Sequence, residues 1–272
     1  MQLTDILQRP IPDLSRFRQG KANYRTYPLL GEGVRNDEPL AAIDEYGIAG
    51  QSHYSRPNAA TVQAIAGIDP RVHVRRGIAE KLAQINYALQ QSAEAANLMG
   101  GPVELYVDEG YRPASLQARL YEEVFPQLIS KQHPHWSRQE VLRRRDELIA
   151  EPPTSSSPSP HLTGAAVDIN LRFQRPDPGF VPGCRVELGH KSGVVGYAAQ
   201  PDYFEHHVPA SKIERQAQRN RRILYWVMRG ALLGDDTGFV VNPTEWWHWS
   251  YGDQLWAQLT DAPEAFYTAV AP

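Results

Sequence analysis

The sequence predicts a mixed α+β domain, with residues 71–272 as its body and residues 1–70 as an irregular arm packed on it. Three observations point there. Ile78, Leu82, Ile85 and Leu89 recur at the spacing of a helix with one buried face. Short alternating or apolar runs at 103–107, 165–171, 238–241 and 244–249 read as strands. Pro10, Pro12, Pro28, Pro39, Pro57 and Pro70 break the first 70 residues too often for long helices.

Taken in order, residues 72–99 read as a helix ended by Gly100-Gly101-Pro102. Val103–Val107 alternates as a strand and is broken by Gly110-Tyr111-Arg112-Pro113. Ala114–Leu128 reads as a helix. Ser137–Ile149 reads as another, with Ser137 and Glu140 spaced as a capping box. Residues 151–160, EPPTSSSPSP, can form neither helix nor central strand. They read either as an interdomain linker or as a loop bordering a site, because a chemical motif begins at their end. Ala165–Leu171 reads as a buried strand and 208–234 as a long helix. The basic residues of that helix (Lys212, Arg215, Arg219, Arg221, Arg222) are expected on a solvated face. Gly238–Val241 and Thr244–Trp249 read as the last two strands.

Composition excludes several classes. The chain has 272 residues, with 28 Lys+Arg against 31 Asp+Glu and a net charge of −3. That balance gives no reason to expect nucleic acid or an anionic membrane as partner. No apolar run approaches the ~18 residues needed to span a bilayer. The lone Cys184 excludes an intramolecular disulfide framework. The first residues, MQLTDILQRPIPDLSRF, lack the charged and apolar regions of a secretory signal, so a cytoplasmic protein is expected.

Three motifs carry chemistry. In Ser159-Pro160-His161-Leu162-Thr163-Gly164-Ala165-Ala166-Val167-Asp168, an imidazole and a carboxylate of metal-ligand type are separated by a tight glycine turn. A carboxylate between Val167 and Ile169 is costly unless paired or metal-bound. In Glu245-Trp246-Trp247-His248-Trp249, a Glu and a His sit among three tryptophans, which would form a dry wall around them. In a straight strand, positions three apart face opposite sides, so Glu245 and His248 share a site only if the backbone twists or bulges. Asp108-Glu109-Gly110-Tyr111-Arg112-Pro113 fixes an arginine at a strand end. Each motif alone has an ordinary structural explanation. Together, two His and one Asp leave a fourth metal position open, a Glu can take a proton, and an Arg can hold an oxyanion. These are the parts of a metal-dependent peptide hydrolase.

GYRP at 110–113, SPHLTGAAVDI at 159–169 and EWWHW at 245–249, in this order, resemble the zinc D-alanyl-D-alanine dipeptidases, the VanX-like branch of the M15 peptidases. The resemblance covers roughly residues 104–250. It implies a small α+β fold with one zinc ion on a central antiparallel sheet flanked by helices. It makes His161, Asp168 and His248 the zinc ligands, Glu245 the catalytic base and acid, and Arg112 the stabiliser of the transition state. Ser159, Glu187 and Tyr111 become substrate-binding residues, with Glu187 set against the ammonium of a small dipeptide. A hydrolase of peptidoglycan metabolism follows, with no nucleic-acid or membrane partner and with room for a homo-oligomer.

The chain departs from the family pattern in three places. Glu109 intervenes after Asp108, Pro160 follows Ser159 where a second serine is usual, and Glu187 is one methylene longer than the family's acid. Residues 1–70 and the insertion at 129–158 find no counterpart. A D,D-carboxypeptidase or cell-wall peptidase is the alternative within the class, though such enzymes act outside the cytoplasm. Outside it stand a catalytically silent zinc-dependent peptide-binding module and an iron oxygenase with a two-His, one-carboxylate triad. The presence of both Glu245 and Arg112 argues against the first, and an oxygenase site would not need Glu245 among tryptophans. His206 and His207, adjacent in sequence, are expected to be structural. His53, His73, His133, His135 and His190 are expected as surface or core polar groups, and Cys184 as no nucleophile.

Overall fold

The computed structural model describes residues 3–18, 21–29, 37–56, 65, 67–149, 151–152, 158–174 and 184–270. Its strands are β1 (Leu40–Ala42), β2 (Ala49–Gly50), β3 (His73–Arg75), β4 (Val103–Glu109), β5 (Ala166–Phe173), β6 (Val240–Asn242) and β7 (Glu245–Ser250). Five of them form the central sheet in the order β2-β4-β5-β7-β6. Its pairings are antiparallel from β4 to β6, as the resemblance implies, and parallel only where β2 joins β4. That edge strand comes from the arm, and β1 of the arm pairs with β3 as a separate ribbon.

Helix Arg76–Gln91 covers one face of the sheet. Ile78, Leu82, Ile85 and Leu89 are all buried and share one core with Val103, Leu105, Val107 and Ile169 of β4 and β5. The expected single helix over 72–99 is thus divided. Its first residues leave helical geometry to pair as β3, a tertiary partnership that local periodicity cannot register. Its last part restarts at Ala93, where the Ser92 hydroxyl accepts the Ala95 N–H at 3.0 Å.

The helix expected over 114–128 runs further, from Ala114 to Gln132, through a widened π-type turn at Leu120–Val124. Pro126, two residues past its end, cannot donate an i→i−4 bond, which such a turn accommodates. Both capping boxes form as their chemistry requires, at Ser137/Glu140 and at Ser211/Glu214. The second caps helix Lys212–Met228, whose basic residues are not all solvated. Arg221 is 2% exposed, and its guanidinium donates to the carbonyls of Leu188, Gln200 and Ala198 at 2.7–2.8 Å. Burial lowers its pKa to about 9. Arg222 donates to Glu205 and to the Leu7 carbonyl. Spacing marks the inward face, but only the loop carbonyls explain why an arginine can occupy it.

Helix Gln254–Thr260, capped by Asp253, was not foreseen, since two turns are too short to show a period. Among the described residues, no helix is long and apolar enough to cross a membrane.

Candidate active site

His161, Asp168 and His248 converge, with one candidate ligand atom from each lying within 4.8 Å of the others. Asp168 Oδ1 is 3.4 Å from His161 Nε2 and 3.2 Å from His248 Nδ1. The two rings stand nearly perpendicular, 87° apart. His161 Nδ1 lies 2.8 Å from the Gly110 carbonyl and donates its proton there, which turns the Nε2 lone pair inward. His248 offers Nδ1 inward, while its Nε2 lies 3.4 Å from the Ser250 hydroxyl.

Three local features of the backbone create this corner. His161 sits in a short turn, Pro160–Thr163, closed by Gly164 at φ +69°. A side chain at Gly164 would be strained by that φ and would press on Leu40 and Arg75. Asp168 follows on β5, paired with Glu109 of β4 on one side and His248 of β7 on the other. Each flanking strand is irregular near this point. The β4 register slips between Val107 and Glu109, and the β6–β7 register between Val241 and Asn242. The second irregularity is the bulge needed for Glu245 and His248 to share a site, and both line one cavity of about 810 Å³ with Trp247.

The electrostatics suit a cation. Asp168 Oδ1 is buried and receives no hydrogen bond. Such an oxygen is costly beside two ring nitrogens unless a positive charge sits between them. Burial favours the neutral Asp168 carboxyl, but the two imidazoles outweigh it and hold the pKa well below the carboxylate range. Burial likewise disfavours His161 imidazolium, yet Asp168 prevails and the His161 pKa rises. Two imidazoles, one carboxylate and an orphaned inward-facing oxygen form a donor set that fits a divalent metal with an open fourth position.

Arg112 lies in the same cavity. Its Nε donates to Glu109 Oε1 at 2.8 Å, Nη2 reaches Glu109 Oε2, and Nη1 donates to Gln117 at 2.7 Å. Burial opposes the charge, but Glu109 outweighs it and the pKa is raised. Glu109, three residues before Arg112, is therefore the acid that clamps it. The slip in β4 sends Asp108 elsewhere, to Arg56, Arg185 and Asn170. Gly110 can carry no side chain, because a Cβ would overlap the His73 carbonyl oxygen.

The remaining expected residues divide. Ser159, 5% exposed, lines the cavity. Tyr111 does not line it; burial raises its hydroxyl pKa, and Arg75 partly offsets that. Glu187 is exposed and lines a neighbouring depression, where its Oε1 accepts the Gly189 N–H at 2.6 Å. In the 151–160 segment, Glu151, Ser159 and Pro160 line the cavity, and 153–157 fall outside the described residues. Were Glu187 not the acid for the ammonium, the sequence would pass that role to Asp177 or Asp202; Asp202 is buried and bonded to Arg18 and the Leu14 N–H. Asp177 falls outside the described residues. His206 Nε2 lies 3.4 Å from Asp202 Oδ2, a placement in keeping with a structural role.

The motifs did not reveal the rest of the wall. His53, expected as an ordinary polar group, is buried and lines the cavity beside Tyr54; burial lowers its pKa, which Glu109 and Asp108 partly offset. The Tyr54 ring lies 5.3 Å from the Arg112 guanidinium carbon, a cation–π contact. Arg18, Tyr24 and Arg25 enter from the arm, and Leu148 and Ile149 enter from the insertion. The available signal was polar and aromatic side chains in segments too broken to bury an amphipathic face, which indicates a loop but not its destination.

Comparison with known proteins agrees with this geometry. A curated D-alanyl-D-alanine dipeptidase from Synechocystis sp. is 28% identical over 231 residues, covering 81% of this chain and 84% of its own length. The family model described as D-ala-D-ala dipeptidase matches residues 48–266, a span that holds all three motifs together with His53 and Tyr54 and that also takes in residues 48–70 and 129–158, where the motifs alone had found no counterpart. With the match covering most of the chain, this protein is a peptidase that belongs to the M15 D-Ala-D-Ala dipeptidase family.

Proposed function

We propose that the chain is a zinc-dependent D,D-dipeptidase acting on D-Ala-D-Ala-like dipeptides. The carrying observation is the meeting of His161, Asp168 and His248 in one cavity with Glu245 and Arg112. His161 Nε2, an Asp168 oxygen and His248 Nδ1 would hold the ion. When bound there, zinc would lower the pKa of a coordinated water to about 7 and would polarise the scissile carbonyl. Glu245, oriented by the Asn242 amide at 3.0 Å, takes the proton from the attacking water and returns it to the leaving nitrogen. Arg112, locked by Glu109 and Gln117, presents a fixed cation to the developing oxyanion. Trp247 and the Tyr54 ring exclude water around these charges. Ser159 borders the substrate, and a role in peptidoglycan metabolism follows from this substrate class.

The test is a hydrolysis screen on metal-loaded protein with D,D, L,D and L,L dipeptides and blocked termini. Strong preference for free D,D dipeptides supports the reading. A second reading, a D,D-carboxypeptidase acting on longer chains, draws on the Glu187 carboxylate lying outside a cavity of about 810 Å³. Faster cleavage of N-acylated substrates in the same screen would select it.

A further inference from the structure

Residues before 48 lie outside the span that the family model matches, yet the chain places Arg18, Tyr24 and Arg25 on the cavity wall. They arrive on the turn Ser15–Arg18 and the turn Lys21–Thr26. The second turn is tied to helix Gln254–Thr260, directly after β7. The Gln254 side-chain amide donates to the carbonyls of Tyr27 at 2.6 Å and Arg25 at 3.4 Å. This brings the turn to the Glu245 side of the cavity, where the Glu245 charge is one of those acting on the Tyr24 hydroxyl.

Three arginines line the cavity among the described residues, and their commitments differ. Arg112 is clamped by Glu109, and Arg18 is paired with buried Asp202 and bonded to the Pro243 carbonyl. The Arg25 guanidinium meets no carboxylate among the described residues; its Nε donates to the Tyr24 hydroxyl at 3.3 Å. Its side chain is half-buried.

The leaving residue of the substrate must lie on the Glu245 side, because Glu245 protonates the leaving nitrogen. A carboxylate on that residue would be repelled by Glu245 unless a cation faced it. An arginine fork matches a carboxylate with two parallel N–H···O bonds. We propose that Arg25, steadied by Tyr24, is a specificity-determining residue that receives a carboxylate carried by the leaving amino acid. The inference rests on the peptidase mechanism above and names the substrate group that this wall reads. The carboxylate has two sources, the free C-terminus of a dipeptide or an acidic side chain in the leaving position.

The experiment compares wild type, Arg25→Gln and Arg25→Lys on three substrates. These are the best free dipeptide from the screen, its C-terminal amide, and an amidated dipeptide with D-Asp in the leaving position. Wild type should prefer a carboxylate-bearing substrate over the plain amide. Arg25→Gln should raise KM for it about tenfold or more, the scale of a lost charged hydrogen bond. Turnover should stay near wild type, the plain amide should be unaffected, and Arg25→Lys should recover part of the loss. A loss confined to the free dipeptide assigns the C-terminal carboxylate, and one confined to the D-Asp amide assigns a side chain. Equal losses on all three, or none in Arg25→Gln, would overturn the role of Arg25 while leaving the peptidase mechanism standing. Failure of wild type to cleave any dipeptide would instead overturn the mechanism, and this inference with it.

Discussion

The corner formed by His161, Asp168 and His248 and the arm meet at one cavity but are built by opposite rules. The corner takes its residues from β5, β7 and the turns beside them, where a ligand must be His or Asp and the backbone must bulge or carry glycine. The arm contributes through an edge strand, a two-stranded ribbon and a turn pinned by carbonyls. The corner is constrained by chemistry that few residue types satisfy. The arm is constrained by shape, which many sequences satisfy. The first region can therefore be read from motifs, while the second, which lines the same cavity, cannot.

The corner is broken most completely by removing a ligand. His161→Ala and His248→Ala should each abolish stoichiometric metal, measured by elemental analysis on folded protein; full occupancy in both would dissolve the assignment. Next in size is Glu245→Gln. It should retain metal while turnover falls about 10²–10⁴-fold, the usual contribution of a general base. Near-normal turnover would show that Glu245 is not the proton carrier.

Arg75 tests whether the arm is integral. It is 2% exposed, and its guanidinium donates to Thr163 in the motif turn, Glu38 in the arm and Thr268 near the end of the chain. Arg75→Met should cost roughly 2–4 kcal/mol, because it strands these carbonyls. Urea unfolding reads this directly, and an unchanged midpoint would mean that the arm is dispensable to the body.

A subtler probe is pH dependence of the metal-free protein. The raised His161 pKa contributes stability that is full below the ordinary imidazole value of 6.5 and is lost as pH rises through the folded value. The depressed Asp168 pKa contributes stability that is full above 3.8 and is lost as pH falls through its folded value. Between these limits the metal-free protein should be most stable, while metal affinity should climb with pH as ligands deprotonate. Parallel trends in the two measurements would mean that the pair does not titrate as argued. The smallest effect is expected at Glu187→Gln. With its carboxylate exposed and bonded to Gly189, the ratio of free to N-acetyl dipeptide hydrolysis should move about twofold or less. A large shift would draw Glu187 into the site.

The sequence revealed the helices whose apolar period or capping box is local, such as 76–91 and 138–148. It also anticipated the bulge in β7, because Glu245 and His248 cannot otherwise cooperate. It misread 72–75, where strand pairing with residues 40–42 overrides helical spacing, and Arg221, whose burial depends on carbonyls 21 to 33 residues away. It missed His53 and Tyr54 as cavity residues for the same reason: their surroundings are assembled from distant segments.

The ties between the arm and the end of the chain also bear on synthesis. The turn that carries Arg25 is held by Gln254, the Pro28 carbonyl accepts the Ala265 N–H, and the Leu162 carbonyl of the motif turn accepts the Val270 N–H. Chains emerge from the ribosome N-terminus first, at about 5–20 residues per second. Residues 24–29 thus wait for partners made more than 200 positions later. Until those partners appear, the turn that carries Arg25 has nothing to hold it against the cavity, so this wall is the last part of the site to be fixed.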